Sequence, residues 1–183
     1  MKKIVLGSLF FVITVLFSGC ADKVHNYSPK ATNVMQLRNV ANGEKIYVEK
    51  FSDSNKDEKK LMCRLTAPIG TPDGETFASY IQDAFTQELI LADKYSEKSS
   101  NTITANLDNI YGSTMLANAY WEFKITMKSS NGVTYETNSR YDYESSYAAG
   151  SACSEMQRSF VPAVQKLNKD IISNPKFADL FNK

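Results

Sequence analysis

The sequence predicts an α+β domain, in which an antiparallel or mixed sheet of about four to five strands carries two main helices packed on one face. Three patterns predict it. Tyr120 to Lys128 alternates: Trp121, Phe123, Ile125 and Met127 share one side, and Glu122, Lys124, Thr126 and Lys128 the other. That is the mark of a half-buried antiparallel strand. Phe77, Ile81, Ala84, Phe85, Ala92 and Tyr95 recur at helical spacing, with Glu75, Gln82, Asp83 and Glu88 elsewhere on the wheel. Met156, Phe160, Val164, Leu167 and Ile171 form a second helical stripe.

The chain opens with Lys2 and Lys3, continues through an uncharged apolar run from Ile4 to Phe17, and reaches Phe17-Ser18-Gly19-Cys20. Positive charge, apolar run and small residues in that order form a secretory signal. The run is short of the roughly 20 residues that span a bilayer. The segment resembles the lipobox read by lipoprotein signal peptidase, where Leu-Ser/Ala-Gly/Ala precede a cysteine; Phe17 stands where that family prefers Leu. The resemblance implies a diacylglycerol thioether on Cys20, cleavage before it, and a fatty-acylated (palmitate-type) amine. The alternative is an ordinary secretory signal with a coincidental cysteine. Two or more chains anchor stably, each buried methylene contributing about 0.8 kcal/mol. In enteric-type lipoproteins an Asp directly after the lipidated Cys favours the inner membrane. Here Ala21 holds that place and Asp22 the next, which favours the outer membrane, with the domain on its periplasmic or surface side.

Residues 1–19 are therefore expected to be a signal peptide, and 20–43 a lipidated cysteine with a flexible tether, since apolar residues there are sparse and aperiodic. Residues 44–183 are expected to form a single α+β domain. Val34 to Val40 reads as an early strand or a short helix. Of 183 residues 164 remain after the signal, and the 21 basic residues become 19 against 20 acidic. A near-neutral protein gives no electrostatic case for nucleic acid.

Export leaves Cys63 and Cys153 in an oxidising compartment, an even number once Cys20 carries lipid. A Cys63–Cys153 disulfide is expected; the alternative is two separate buried thiols. His25, the only histidine, falls in the expected tether, so a domain without histidine is expected, and with it no Ser-His-Asp, Cys-His or His–zinc chemistry.

In the domain, Ile46 to Phe51 reads as a strand after the Asn42-Gly43 turn, Ser52 to Lys60 as a loop, and Pro68, Gly70, Pro72 and Gly74 as an irregular stretch. Thr76 is the expected N-cap of a helix over about 76–94. Thr102 to Ile110 alternates with Ile103, Ala105 and Leu107 on one face. A three-residue loop, Ser130-Asn131-Gly132, sets Met127 opposite Tyr135, Phe123 opposite Ser139 and Trp121 opposite Tyr141. It keeps charge off the core side and puts Gly132 at a left-handed position. A two-residue turn would set Phe123 against Arg140. Ser151 is the expected N-cap of the last helix, with Glu155 in its first turns. Pro162 should kink that helix or delay its start, and Asn174-Pro175 should end it.

Ile46-Tyr47-Val48-Glu49-Lys50-Phe51-Ser52-Asp53 resembles the opening strand of small periplasmic proteins of the TolB N-domain and CsgG-like type. Over residues 44–172 the element order is also similar to auxiliary lipoproteins of YajG and PqiC type. Those groups serve envelope assembly or transport, so no catalytic residues carry over.

The candidate ligand or partner surface is Tyr135, Tyr141, Tyr143 and Tyr147. Either they grip a glycan, peptide or lipid, or they line a sheet face with rings buried and hydroxyls wet. Asp142 and Glu144 alternate on one strand face and could join Asp108 or Glu122, but no Asp-x-Asp-x-Asp-Gly loop accompanies them. A Gly-x-Ser-x-Gly elbow and a Gly-rich phosphate loop are both missing from the sequence. No metal, cofactor or catalysis is expected. The expected function is that of a non-enzymatic envelope lipoprotein docking on or assisting another envelope component. The alternative is a small-ligand or lipid-binding accessory module of a transport system, with its cleft lined by Trp121, Phe123 and Phe85.

Overall fold

A computed structural model of the chain describes residues 22–40, 44–55, 58–64 and 67–182. The signal segment and Cys20 lie outside the described residues. In chain order the elements are β1 (Asp22–Lys23), α1 (Ala31–Asn39), β2 (Tyr47–Val48), β3 (Ser52–Asp53), β4 (Lys60–Cys63), β5 (Ala67–Gly70), α2 (Phe77–Leu91), β6 (Thr102–Met115), β7 (Asn118–Ser129), β8 (Thr134–Asp142) and α3 (Ala149–Ile172). Single 3-10 turns occupy Pro72–Gly74 and Ala178–Phe181.

The main sheet has the order β2-β6-β7-β8, with β3 following β2 along β6. β2 and β3 run parallel to β6 and the rest is antiparallel, so the sheet is mixed and the fold is α+β. Trp121, Phe123, Ile125 and Met127 all face inward without solvent exposure, against the α3 stripe of Met156, Phe160, Val164, Leu167 and Ile171. β7 and β8 pair in the three-residue register: Met127 opposes Tyr135, Phe123 opposes Ser139 and Trp121 opposes Tyr141. Gly132 takes φ 92°, the left-handed conformation that only glycine adopts freely. On β6 a bulge between Leu107 and Asn109 resets the alternation, so that Ile110 faces inward after Leu107 and the strand runs on to Met115. Beyond it Gly112 admits α3. A Cβ there would sit 2.2 Å from Met156 Cε and 3.1 Å from Trp121 Cζ3.

α2 starts where its cap predicts, with Ser79 N donating to Thr76 Oγ1 at 3.0 Å. α3 corrects the Ser151 cap: it begins at Ala149 after an uncapped Ala148, two residues that favour helix intrinsically. Glu155 pairs instead with Arg158 at 2.6 Å. The helix is continuous across Pro162. β3 takes Ser52–Asp53 and β4 takes Lys60 from the expected loop, and Pro68 to Gly70 of the expected irregular stretch lie in β5. β4 and β5 pair antiparallel, and β1 completes a small three-stranded sheet. Pro68 is tolerated at the second position of β5, outside the pairing with β1.

The expected tether is corrected most. Residues 22–40 are part of the fold. Val24 N donates to Gly70 O at 2.9 Å, and Val24, Val34 and Leu37 are buried in the core. α1 packs on both α2 and α3. The domain's described portion thus begins at Asp22 rather than at 44. His25 falls inside it with an exposed side chain, so the expectation of a domain without histidine is also corrected.

Candidate functional site

Two groups of side chains stand out, one buried and one exposed. The buried one centres on Glu88, which the helical wheel assigns to the polar side of α2 and which the structure buries completely. Its carboxylate accepts from Tyr27 Oη at 2.6 Å, Lys30 N at 3.1 Å, Asn33 Nδ2 at 3.1 Å and Asn168 Nδ2 at 3.2 Å. A buried carboxylate is tolerable only when so surrounded by donors. Burial, and next the Glu88 charge, hold the Tyr27 hydroxyl well above the ordinary phenol range. Asn33 Nδ2 also reaches Gln165 O at 2.8 Å, so one side chain of α1 joins α2 to α3. Further along, Tyr80 Oη donates to His25 O and Gln165 Nε2 to Ser28 O, each at 2.8 Å, and Gln157 Nε2 donates to Lys23 O. These bonds occupy the carboxylate as a clasp for the N-terminal segment. They leave it no substrate-facing side, which makes it a structural group.

The exposed group surrounds Arg64, the residue after β4, held at φ 47°. Its guanidinium donates to Thr114 O at 2.8 Å, Ser146 O at 2.6 Å and Tyr147 O at 2.8 Å, and its Nε to Thr114 Oγ1 at 3.3 Å. Three segments meet there: the end of β4, the β6–β7 turn and the loop leading into α3. Cys63 and Cys153 are joined at the same end, with Sγ atoms 2.05 Å apart. Met62, Met115, Leu116 and Tyr147 project around this knot into solvent. Beneath Leu116, Asn118, Asp142, Tyr143 and Glu144 border a shallow depression.

The four candidate tyrosines do not make one patch. Tyr135 is buried, with its hydroxyl donating to Ile171 O at 3.2 Å, and is corrected from surface to core. Tyr141 and Tyr143 pack against the core, Tyr143 Oη donating to Ser113 O at 2.8 Å. Tyr147 alone of the four is fully open to solvent. Burial raises the Tyr135 and Tyr143 hydroxyls above the phenol range, with Arg64 opposing this at Tyr143. The carboxylates also separate. Asp108 accepts from Asn106 and Thr126, while Asp142 pairs with Arg140 at 2.9 Å. Lys124 and Glu136 pair at 2.9 Å on the same outer sheet face, a solvated surface of opposite charges. Among the described residues no group of three or more His, Cys, Asp or Glu could hold a metal.

Sequence reasoning missed the clasp because Glu88, Tyr27, Asn33 and Asn168 are scattered polar residues. A signal for the exposed group did exist: Met115-Leu116-Ala117 is an apolar turn, where glycine, asparagine or aspartate is usual.

No protein-family model matches the sequence, and no curated protein does. A solved structure shares the fold. It is the crystal structure of protein XCC0632 from Xanthomonas campestris, assigned to family model DUF330. The match covers 83% of this chain and 93% of that one, with a TM-score of 0.51 and 10% identity. Likeness at that identity extends to the fold alone.

Proposed function

We propose that this chain is a lipid-anchored lipoprotein of the cell envelope, acylated on Cys20, whose domain docks on another envelope component without catalysing a reaction. The outer membrane is the proposed address. The observation that carries the reading is the order Lys2-Lys3, Ile4 to Phe17, Ser18-Gly19-Cys20, followed only two residues later by Asp22, where the described fold begins. Two points favour docking over a ligand cleft. Trp121, Phe123 and Phe85, the proposed cleft residues, are fully buried against Phe160 and Phe177. An apolar depression lined by Pro29, Val34, Met35, Arg38 and Leu91 opens instead on the surface between α1 and α2, a shape that fits a protein partner.

The test is the intact mass and membrane partition of the expressed chain beside Cys20→Ala. The reading expects a chain starting at Cys20 with a lipid-sized mass increase, found in the membrane fraction, and loss of both in the variant. A soluble wild-type chain without the added mass contradicts it. Crosslinking from position 35 in intact envelopes, compared with Met35→Asp, then tests whether the α1–α2 depression is the docking surface.

A further inference from the structure

We infer that the end of the domain bearing Met62, Met115, Leu116 and Tyr147 lies against the lipid bilayer, with the β6–β7 turn in its interfacial layer. This rests on the Cys20 anchor proposed above and adds an orientation to it. The strand registers supply the direction. β1 runs parallel to β5 with Asp22 opposite Ile69, so the step from Lys23 back to Asp22 points toward the Ala67 end of β5. β4 runs antiparallel to β5 with Cys63 opposite Ala67. Arg64 follows, bonded to Thr114, Ser146 and Tyr147. The described chain therefore begins at the end where the Arg64 knot stands.

The distance is short. Asp22 is two positions from the proposed lipidated Cys20, and two steps of chain reach at most about 7 Å even when extended. An anchor of that length brings this end of the domain to the bilayer before any side chain makes contact.

The surface at that end suits lipid. Met115 is 69% exposed, Tyr147 88%, Met62 55% and Leu116 48%. Large apolar side chains grouped in solvent mark an interaction surface. Tyrosine, with an apolar ring and a polar tip, belongs at a membrane interface. The Arg64 guanidinium turns inward to the carbonyls of Thr114, Ser146 and Tyr147, so its own charge is not presented on this surface. Asp142 and Glu144 border the depression below Leu116, and Arg140 offsets one of the two charges, which leaves a net negative rim that fits a zwitterionic lipid surface rather than an anionic one.

The test uses the full lipidated chain in phosphatidylcholine vesicles. An environment-sensitive dye is attached to the introduced thiol of Leu116→Cys, of Tyr147→Cys, or of Thr134→Cys as the reference. Thr134 lies at the other end of the sheet, since the 12-residue β7 separates the two turns by roughly 37 Å at strand rise. The expected result is a blue shift at positions 116 and 147, with most of their fluorescence lost to lipids carrying a quencher on the acyl chain, and neither effect at 134. If all three positions behave alike on a sample whose lipid mass is verified and which floats with vesicles, the orientation is overturned while the anchor stands. If the wild-type chain carries no lipid mass, the anchor is overturned and the orientation with it.

Discussion

The Cys63–Cys153 bridge and the Glu88 clasp both fasten the N-terminal part of the chain to α3, one near its first turn and the other near its end. They act through different states of the chain. The bridge joins residues 90 apart and stabilises mainly by limiting the unfolded ensemble. The clasp acts in the folded state only, through donors gathered on one buried carboxylate from α1, α3 and the segment before α1. The covalent fastening thus sits at the end of the domain where the described chain begins, and the polar one holds the segment that follows. Loss of the bridge should weaken the whole domain, and loss of the clasp should first release residues 22–40.

The largest effect should come from the bridge. Replacing both cysteines, Cys63→Ala with Cys153→Ala, should cost about 4–5 kcal/mol by chain entropy for a loop of this length. Urea unfolding should show one transition at lower denaturant, with the native fold kept before it. Glu88→Ala should cost about 3 kcal/mol, because buried donors lose their acceptor at about 1–3 kcal/mol each with partial rehydration. Proteolysis should then cut within 22–40 before the sheet unfolds. Simultaneous release of both would remove the distinction between the fastenings. Gly112→Ala touches neither and should cost about 2 kcal/mol by overpacking on Met156 and Trp121, a scale for a core defect measurable in the same titration. Tyr27→Phe should cost about 1.5 kcal/mol for one hydrogen bond to a charged group.

Alkali separates the two fastenings again. Burial raises the hydroxyls of Tyr27, Tyr80, Tyr135 and Tyr143 above their unfolded value. A phenol that keeps its proton longer in the folded chain contributes stability that is whole below pH ~10 and is lost as pH rises past it. Stability should therefore fall above pH ~10, with part of the tyrosinate absorbance appearing only on unfolding. Tyr27→Phe should soften that fall, since Tyr27 lies in the clasp. The cysteine variants should keep it unchanged.

The large sheet and the two long helices were legible because each rests on one repeating apolar pattern. Strict alternation marks β7, the Ser130-Asn131-Gly132 loop sets its register with β8, and five apolar residues at helical spacing mark α3. Cysteine parity pointed to the pair that the structure joins. What stayed hidden rests on polar contacts or very short elements. α1 buries Asn33 beside Val34 and Leu37, so one of its three buried residues reads as surface. Glu88 reads as a solvent residue because the donors that make its burial tolerable lie 55 to 80 positions away. β4 and β5 have four residues each, too few for a pattern, and β5 includes proline and glycine. Tyr135 and Tyr147 look alike in sequence, and only the packing of α3 over β8 separates them.

That residues 22–40 belong to the fold decides whether the domain swings on a tether or sits directly on the proposed Cys20 anchor. Amide hydrogen exchange of Val34 and Leu37 in the wild-type protein tests this most directly. Strong protection is expected, close to that of the core amides of α2 and lost selectively in Glu88→Ala. Exchange of both amides at unfolded-chain rates in the wild type would restore the tether and contradict the placement of residues 22–40 in the fold.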